Sequence, residues 1–344
     1  MFNIINQEKH LFWAHGVIPN LRLHIMMVSP PGWMKSFTLK QMLRGPSSLF
    51  GETELNPVYA STMTEAGFVG TIKFGEGNEP VRIPGLCEEY AESIIGIEEF
   101  SAIAQMMEVG YSRALDVAYL TALDDGWVTK RLAAGEIKFR TDMTLWAGTQ
   151  PMRFDLTSGM ARRLFFIQIV PTRRDKKIIT VARRKGIGIV NKTEQTIIIG
   201  KLLNKLHKKI EKLEAIHFEK TLYKLMDRLG IPHFEESLYE RLALGYNLVR
   251  TNFGKELFVR LDDTLRAMII RGDQWRVQLK RGTRTAQVIL TLRDYGGKMN
   301  INELRKILLD LSLSWSESSD IIRELIRDGT CKMDGKDVYL VGGE

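Results

Sequence analysis

The sequence predicts an α/β fold with a mostly parallel, helix-covered sheet, and two features of the chain predict it. Four short apolar segments alternate with helical or inserted segments, which is the pattern of buried parallel strands. Residues 201–270 then carry apolar side chains at spacings of three and four, which predicts helices. The four apolar segments are residues 21–28, 93–97, 143–147 and 164–170.

Length and composition limit the class of protein. The 344 residues are enough for two domains or for one large domain with an appendage. The hydrophobic fraction of 44% and the charged fraction of 26% exclude global disorder. The apolar runs are far shorter than the ~20 residues of a membrane span. The start MFNIINQEKH carries charge where a secretory signal is apolar, so we expect an intracellular protein with no membrane partner.

Cysteine content and charge narrow the partners. Cys87 and Cys331 are too few for a disulfide framework or a structural zinc site. The 49 basic residues exceed the 41 acidic ones, and the net charge of +8 indicates a polyanionic partner. Residues 162–212 hold 15 Lys and Arg against 3 acids, which fits a solvated basic face as well as a nucleic-acid track.

The order strand, loop, helix is predicted at the start of the sheet. Pro30, Pro31 and Gly32 end the first strand, and residues 35–43 have a helical pattern. Two hairpins are also predicted, one from residues 67–74 and 80–86 and the other from residues 127–132 and 136–140.

The C-terminal segment has the pattern of a winged helix-turn-helix. Helices are predicted at residues 285–295, 301–311 and 316–328, with Ser316 as N-cap of the third, and a hairpin follows around Asp334-Gly335. The third helix carries more acids than bases, which favours a regulatory or protein-contacting role over DNA reading. The expected domain limits are residues 1–192, 193–283 and 284–344.

The loop after the first strand has part of a phosphate-binding motif. Residues 29–36 read SPPGWMKS, so both glycines of GxxxxGK[ST] are replaced while Lys35 and Ser36 remain. Lys35 is expected to reach the phosphates of ATP and Ser36 to bind Mg²⁺, at a helix N-terminus that attracts phosphate. Alone, the motif fits an accidental loop-to-helix junction better. The ATP-binding residues it predicts are Pro31, Gly32, Trp33, Met34, Lys35 and Ser36.

Polar side chains at the other strand ends suit ATP hydrolysis. Glu98 and Glu99 end the second strand, which places Glu98 near Mg²⁺ and Glu99 near the attacking water. Gln150 follows the third strand and is suited to orienting that water. Arg163 precedes the fourth, where an arginine supplies charge to a neighbouring subunit's γ-phosphate. Paired acids at a strand end are usually only solvent-facing, but the order and spacing of all four motifs argue against chance.

With these motifs the chain resembles the minichromosome maintenance (MCM) branch of the AAA+ ATPases. The resemblance is good over residues 21–170 and poor from there to residue 270. The C-terminal segment resembles the family only in its predicted type of fold, a winged helix. MCM loops read PG, two variable small residues and KS, as residues 31–36 nearly do. The family's acidic pair is followed by Phe, its sensor 1 by proline, and its arginine finger by a strand. Glu98-Glu99-Phe100, Gln150-Pro151 and Arg163 match these three features.

The resemblance implies further site residues. Residues 127–140 look like the presensor-1 hairpin, which holds DNA in the channel of the ring through a basic residue, here Lys130 or Arg131, with Lys138 as a further DNA contact. Basic residues on an exposed hairpin are also common without such a role. For sensor 2 the candidate is Arg241, with Arg250 next.

An AAA+ P-loop core with two hairpin inserts, a helical lid and a winged helix is the fold that the resemblance implies. ATP and Mg²⁺ are the implied cofactors, and DNA and further copies of the chain, in a hexameric ring, are the implied partners. Because no counterpart of the family's N-terminal oligonucleotide-binding domain precedes residue 21, we expect a minimal, cytoplasmic prokaryotic form, as in an archaeal virus or mobile element.

The chain departs from the family at four site positions. Ser29 and Met34 stand in place of glycine or small residues, Glu98 in place of aspartate and Gln150 in place of asparagine, so hydrolysis is expected to be slow or lost. The expected function is an ATP-driven DNA helicase or translocase in replication. The alternatives are a replication initiator or DNA-remodelling ATPase that does not unwind, and a catalytically inactive DNA-binding scaffold.

Overall fold

The structure, a computed structural model, describes most of the chain. The described residues are 12–13, 16–17, 22–30, 32–33, 35–46, 48–51, 53, 55, 57–75, 77–101, 103, 113–150, 161–169, 173–185, 192–281, 283–311 and 313–341. In chain order the first part contains β1 (Phe12–Trp13), β2 (Gly16–Val17), β3 (His24–Val28), α1 (Lys35–Leu43), β4 (Val58–Ala60), α2 (Glu65–Val69), β5 (Gly70–Phe74), β6 (Pro80–Pro84), α3 (Leu86–Glu89), β7 (Ile94–Ile97), α4 (Arg113–Leu123), β8 (Trp127–Leu132), β9 (Gly135–Arg140), β10 (Thr144–Thr149), a 3₁₀ turn (Ala161–Arg163) and β11 (Leu164–Gln168).

Five parallel strands form the central sheet, in the order β11-β3-β10-β7-β4. All four predicted strands are present, so the predicted α/β class with a mostly parallel sheet is confirmed. β4 was not predicted as a strand, because its three partly buried residues form no apolar run. Since the strands are parallel, the carboxyl ends of β3, β7 and β10 meet at one edge of the sheet. We call this the carboxyl edge and the opposite one the amino edge.

The two faces of the sheet pack against different elements. On one face Met26, Ile95 and Leu145 are buried in a cluster that includes Tyr119 of α4 and side chains of both hairpins. On the other face α1 packs against β7 and β10, and its Leu39 is fully buried. The sheet is therefore covered on both faces, as expected for parallel strands.

Two antiparallel hairpins project from this core. β5 pairs with β6, and β8 pairs with β9 over the predicted residues. The first predicted hairpin strand, residues 67–74, is correct only from Gly70 onward. Residues 65–69 form α2 instead, because the Thr64 side chain caps that helix by accepting a hydrogen bond from the Gly67 backbone N–H at 3.2 Å.

The helices predicted for residues 201–270 are present, but two short strands that were not predicted lie between them. These strands, β12 and β13, pair in parallel with each other, and β12 also pairs with β1. Among the described residues, no helix combines the length and the apolar character that crossing a membrane requires. The elements are α5 (Arg173–Arg184), α6 (Lys192–Ile210), β12 (Ala215–Phe218), α7 (Lys220–Leu229), α8 (His233–Arg250), β13 (Glu256–Val259) and α9 (Asp263–Arg281).

Three helices and a three-stranded antiparallel sheet form the C-terminal unit. The predicted helices are present, but the N-cap of the last one is Ser314 rather than Ser316. Ser314 and Glu317 form a capping box, in which each side chain accepts a hydrogen bond from the other residue's backbone N–H. The elements are α10 (Thr283–Asp294), β14 (Lys298–Asn300), α11 (Ile301–Asp310), α12 (Trp315–Arg327), β15 (Cys331–Asp334) and β16 (Asp337–Leu340), and the strand order is β14-β16-β15.

Candidate functional site

The candidate site lies at the carboxyl edge of the central sheet. β3 ends at Val28, and α1 begins with Lys35 after a short loop. The Ser29 backbone N–H donates to the Thr149 carbonyl oxygen at 3.2 Å, and Ser29 Oγ donates to the Trp33 carbonyl oxygen at 3.2 Å. These bonds tie the loop to the end of β10 and close it on itself, so the start of α1 is held beside the neighbouring strand.

The predicted ATP-binding residues of this loop are described in part. Gly32 is exposed and has a φ of +80°, a conformation that favours glycine. Trp33 is partly buried and packs against the hydrophobic cluster of the C-terminal unit. Pro31 and Met34 lie outside the described residues.

Lys35 reaches from α1 across the end of β10. Its side chain is only 8% exposed, and its Nζ lies 2.9 Å from Glu99 Oε2. Gly148 makes this path possible, because a Cβ at residue 148 would lie 2.7 Å from Lys35 Cδ and 2.9 Å from the Glu98 carbonyl oxygen. Because residue 148 has no side chain, Lys35 can pass over β10 and reach the acidic pair.

Glu99 is the centre of a hydrogen-bonded group. Its Oε2 accepts from Lys35 Nζ and, at 3.4 Å, from Gln150 Nε2. Its Oε1 accepts from the hydroxyl of Ser101. Three predicted site residues, Lys35, Glu99 and Gln150, thus meet although they come from three distant segments of the chain.

Glu98 has its own set of partners. Lys40 Nζ lies 2.6 Å from its Oε1, and the Tyr59 hydroxyl donates to its Oε2 at 2.8 Å. Ser36 also hydrogen-bonds to this carboxylate. Partial burial acts to raise the pKa of Glu98, but hydrogen bonds from Lys40, Tyr59 and Ser36 outweigh it and hold the pKa below its usual value. Glu98 is therefore ionised at neutral pH.

The predicted metal ligands fit a magnesium ion only together with other oxygen atoms. Mg²⁺ prefers hard oxygen donors and commonly binds one or two carboxylates, with phosphate oxygens and water completing the octahedron. The Ser36 hydroxyl and the Glu98 carboxylate are donors of this kind and are already in contact. In the part of the chain that the structure describes, no group of three or more His, Cys, Asp or Glu is placed to hold a metal. The site suits a metal that arrives with phosphate.

Arg163 lies away from this group, at the amino edge. It immediately precedes β11, and its Nη2 lies 2.6 Å from Asp124 Oδ2. Its side chain is 12% exposed. The structure therefore does not bring Arg163 to the site of its own chain, and its predicted role concerns a neighbouring subunit.

Arg241, the sensor 2 candidate, also lies at the amino edge. Its Nη1 donates to the Arg22 carbonyl oxygen at 3.1 Å, before β3 begins, and it is 9% exposed. Desolvation lowers its pKa to about 10. Because β3 separates Arg22 from the loop, Arg241 does not reach the site. Arg250, the second candidate, stacks on the Tyr246 ring on the same helix.

The predicted DNA-binding residues point to two sides of the β8–β9 hairpin. Lys130 faces the body of the protein, and its Nζ lies 3.0 Å from Glu65 Oε1. Arg131 is 87% exposed and pairs with Glu136 across the hairpin. Lys138 is exposed on the same outward side. The structure therefore separates Lys130, which is held in an ion pair, from the two outward residues.

Four residues of the site were missed by sequence reasoning, and one of them is Ser101, which bonds Glu99. Lys40 and Tyr59 bond Glu98, and Gly148 clears the path of Lys35. The only signal in the sequence was Gly148 itself, a glycine within an apolar strand, which often marks a close approach of another group.

The sequence was also compared with protein families and with curated proteins. No family model and no curated protein matches the chain.

Proposed function

We propose that the chain is an ATPase of the MCM-like AAA+ type that acts on DNA as a hexameric ring. The observation that carries the proposal is the group formed by Lys35, Glu99 and Gln150 beside Ser36 and Glu98. A lysine and a hydroxyl at a helix N-terminus, opposite two carboxylates, suit phosphoryl transfer. The loop also follows β3, which is flanked by β10 on one side and β11 on the other. Open parallel sheets bind ligands at such points, where the strand order reverses.

In this proposal Lys35 changes partner when nucleotide binds. Its ammonium leaves Glu99 for phosphate oxygens at the N-terminus of α1, where backbone N–H groups attract anions. Glu99 is then free to accept the proton of the water that attacks the γ-phosphorus, and Gln150 orients that water. Mg²⁺, held by Ser36 and Glu98 together with phosphate oxygens, would neutralise charge on the phosphates.

The remaining residues divide between the ring and DNA. Arg163, away from its own site, acts on the nucleotide of a neighbouring subunit. Arg131 and Lys138 contact DNA from the outward face of the hairpin, and Lys130 supports the hairpin through Glu65. The C-terminal unit is a winged helix-turn-helix whose last helix, α12, contacts protein rather than DNA. The expected location of the protein is a prokaryotic cytoplasm, where ATP and DNA occur together.

A nucleotide-binding scaffold without turnover is the second candidate. The ion pairs favour it, because both acids are already bonded to lysines and neither is a free base. It keeps the same binding residues and removes the chemical step.

ATP turnover, measured with and without single-stranded DNA, separates these functions. We expect Lys35→Ala to abolish nucleotide binding or turnover, and Glu99→Gln to bind ATP without turnover, because the carboxylate base is lost. The exposed lysine of α11 provides the control Lys306→Ala, which should behave as the wild type. Normal turnover in Lys35→Ala would overturn the phosphate-loop assignment. Tight ATP binding with no turnover in the wild type would establish the scaffold.

Two further measurements refine the assignment. Arg131→Ala/Lys138→Ala should lower DNA-stimulated turnover while leaving basal turnover intact. A strand-displacement assay then separates a helicase from an initiator that assembles on DNA without unwinding it.

A further inference from the structure

Two lysines of α1 pair with the two consecutive acids at the end of β7. Lys35 pairs with Glu99, and Lys40, five residues later, pairs with Glu98 at 2.6 Å. Lys35 belongs to the predicted phosphate-binding motif. Lys40 belongs to no motif, yet it makes the shorter of the two contacts.

Both carboxylate oxygens of Glu98 therefore have donors. Lys40 bonds Oε1, and the Tyr59 hydroxyl donates to Oε2 at 2.8 Å. A divalent cation that binds Glu98 must displace Lys40 or share the carboxylate with it, and two cations on one carboxylate repel each other. Lys40 thus competes with a divalent cation for the Glu98 carboxylate.

We propose that Lys40, supported by Tyr59, occupies the Glu98 carboxylate in the nucleotide-free protein and thereby prevents the site from binding a divalent cation on its own. This inference rests on the proposed function, since it names how the same site admits its metal. With both lysines in place, the two acids carry no excess negative charge. A cation then enters only with nucleotide, whose phosphates add the negative charge and the oxygen ligands that the protein lacks. Lys40 and Tyr59 are positioning residues, because they act through Glu98.

Mn²⁺ binding, followed by electron paramagnetic resonance without nucleotide, tests the inference directly. We expect Lys40→Met to bind Mn²⁺ about tenfold more tightly than the wild type, because a charge-assisted hydrogen bond no longer competes. Tyr59→Phe should have a smaller effect, since it removes a neutral donor. The matched control, Lys306→Met on α11, should leave the affinity unchanged. The gain must disappear in Lys40→Met/Glu98→Gln if Glu98 is the ligand.

Nucleotide titrations in Mg²⁺ and in EDTA provide the second arm. In Lys40→Met the unpaired Glu98 should repel metal-free ATP, so the ratio of the two dissociation constants should rise about tenfold. Circular dichroism and a second variant, Lys40→Gln, exclude misfolding as the cause. Equal Mn²⁺ affinity in wild type and Lys40→Met, including no binding in either, overturns the inference. If no protein binds nucleotide but Lys40→Met still gains Mn²⁺ affinity, the proposed function fails and the role of Lys40 stands.

Discussion

The two edges of the central sheet both carry dense groups of charged residues, but they bond them differently. At the carboxyl edge, side chains bond other side chains, and Glu99 remains 32% exposed. At the amino edge, Arg22 is fully buried and donates to the backbone carbonyl oxygens of Ala122, Thr141, Met143 and Asp124 at 2.9–3.2 Å. Desolvation lowers the pKa of Arg22 to about 10, which leaves it charged at neutral pH.

This difference determines which of the two groups can exchange its partners. A side-chain ion pair breaks by rotation of two side chains, so Lys35 can exchange Glu99 for phosphate. Carbonyl groups are fixed by the strands and helices that contain them, so Arg22 cannot change partners without unfolding its surroundings. The side-chain partners at the carboxyl edge can therefore be exchanged for those of a ligand, whereas the carbonyl partners of Arg22 hold strands and helices together.

The largest expected effect comes from removing Arg22. Arg22→Met leaves several buried carbonyl oxygens without donors, each at a cost of about 1–3 kcal/mol, so we expect a loss of about 4 kcal/mol or more in the free energy of unfolding. Urea unfolding measures this loss. Arg131→Met, at an exposed ion pair, should cost less than about 1 kcal/mol. A loss of that small size in Arg22→Met would contradict the contrast between the edges.

Arg163 is the amino-edge residue for which we predict a catalytic role, in a neighbouring subunit. Arg163→Ala should lose at least about 100-fold in ATP turnover, and mixing it with Lys35→Ala should restore part of the activity, because mixed rings contain some intact sites. Turnover of the mixture at several ratios measures this. If mixed assembly is shown and activity does not return, Arg163 acts within its own chain or only through its ion pair with Asp124.

Gly148→Ala tests whether the carboxyl edge depends on the path of Lys35. The added Cβ would collide with the lysine stem, so we expect nucleotide affinity to fall about 30-fold, which corresponds to about 2 kcal/mol. Gly200→Ala is the matched control, because a Cβ there meets nothing within 4 Å and alanine in a helix stabilises by about 0.5–1 kcal/mol. Calorimetric titration of both variants decides, and unchanged affinity in Gly148→Ala would show that Lys35 takes another route.

The smallest expected effect is a pH dependence at the amino edge. His24 is fully buried; its Nδ1 accepts from the Leu145 backbone N–H, and its Nε2 lies 3.0 Å from the Leu123 carbonyl oxygen. Desolvation, with Arg22 nearby, holds the pKa of His24 well below its usual value. Below about pH 6.5 the unfolded chain binds a proton that the folded chain does not. The free energy of unfolding therefore decreases as the pH is lowered, by up to about 1.4 kcal/mol per pH unit.

Comparing variants isolates the contribution of His24. His24→Gln keeps one donor and one acceptor and should flatten the pH dependence of urea unfolding between pH 6.5 and 5. His233→Gln, at an exposed histidine, should not. The same slope in all three proteins would assign the pH dependence to other groups.

The central sheet could be predicted because its signals are local. Each predicted strand is an apolar run bounded by turn residues, and α1 follows from Pro30 and Gly32 together with the spacing of its apolar side chains. β12 and β13 could not be predicted, because each has four residues and they are stabilised by pairing over a distance of about 40 residues in sequence. Local helical spacing in the same segment was the stronger signal.

The site could be predicted as a set of residues but not as a set of bonds. The ends of parallel strands bring Lys35, Glu99 and Gln150 together whatever their side-chain conformations. The pairing of Lys40 with Glu98, 58 residues away in sequence, depends on how α1 lies against β7. The direction of Lys130 depends on which face of the hairpin packs on the core. Neither can be read from spacing along the chain.

Trp33 connects the loop of the site to the C-terminal unit. Its side chain is partly buried against the hydrophobic cluster formed by α10, α11, α12 and the adjoining strands. A truncation before α10 would therefore remove the apolar surface that covers Trp33 together with the C-terminal unit. It would leave an indole in water two residues before Lys35, and the loop would lose the surface against which its shape is set. Experiments that delete residues 284–344 thus also change the loop that precedes α1, and a smaller change at Trp33 is needed to distinguish the two effects.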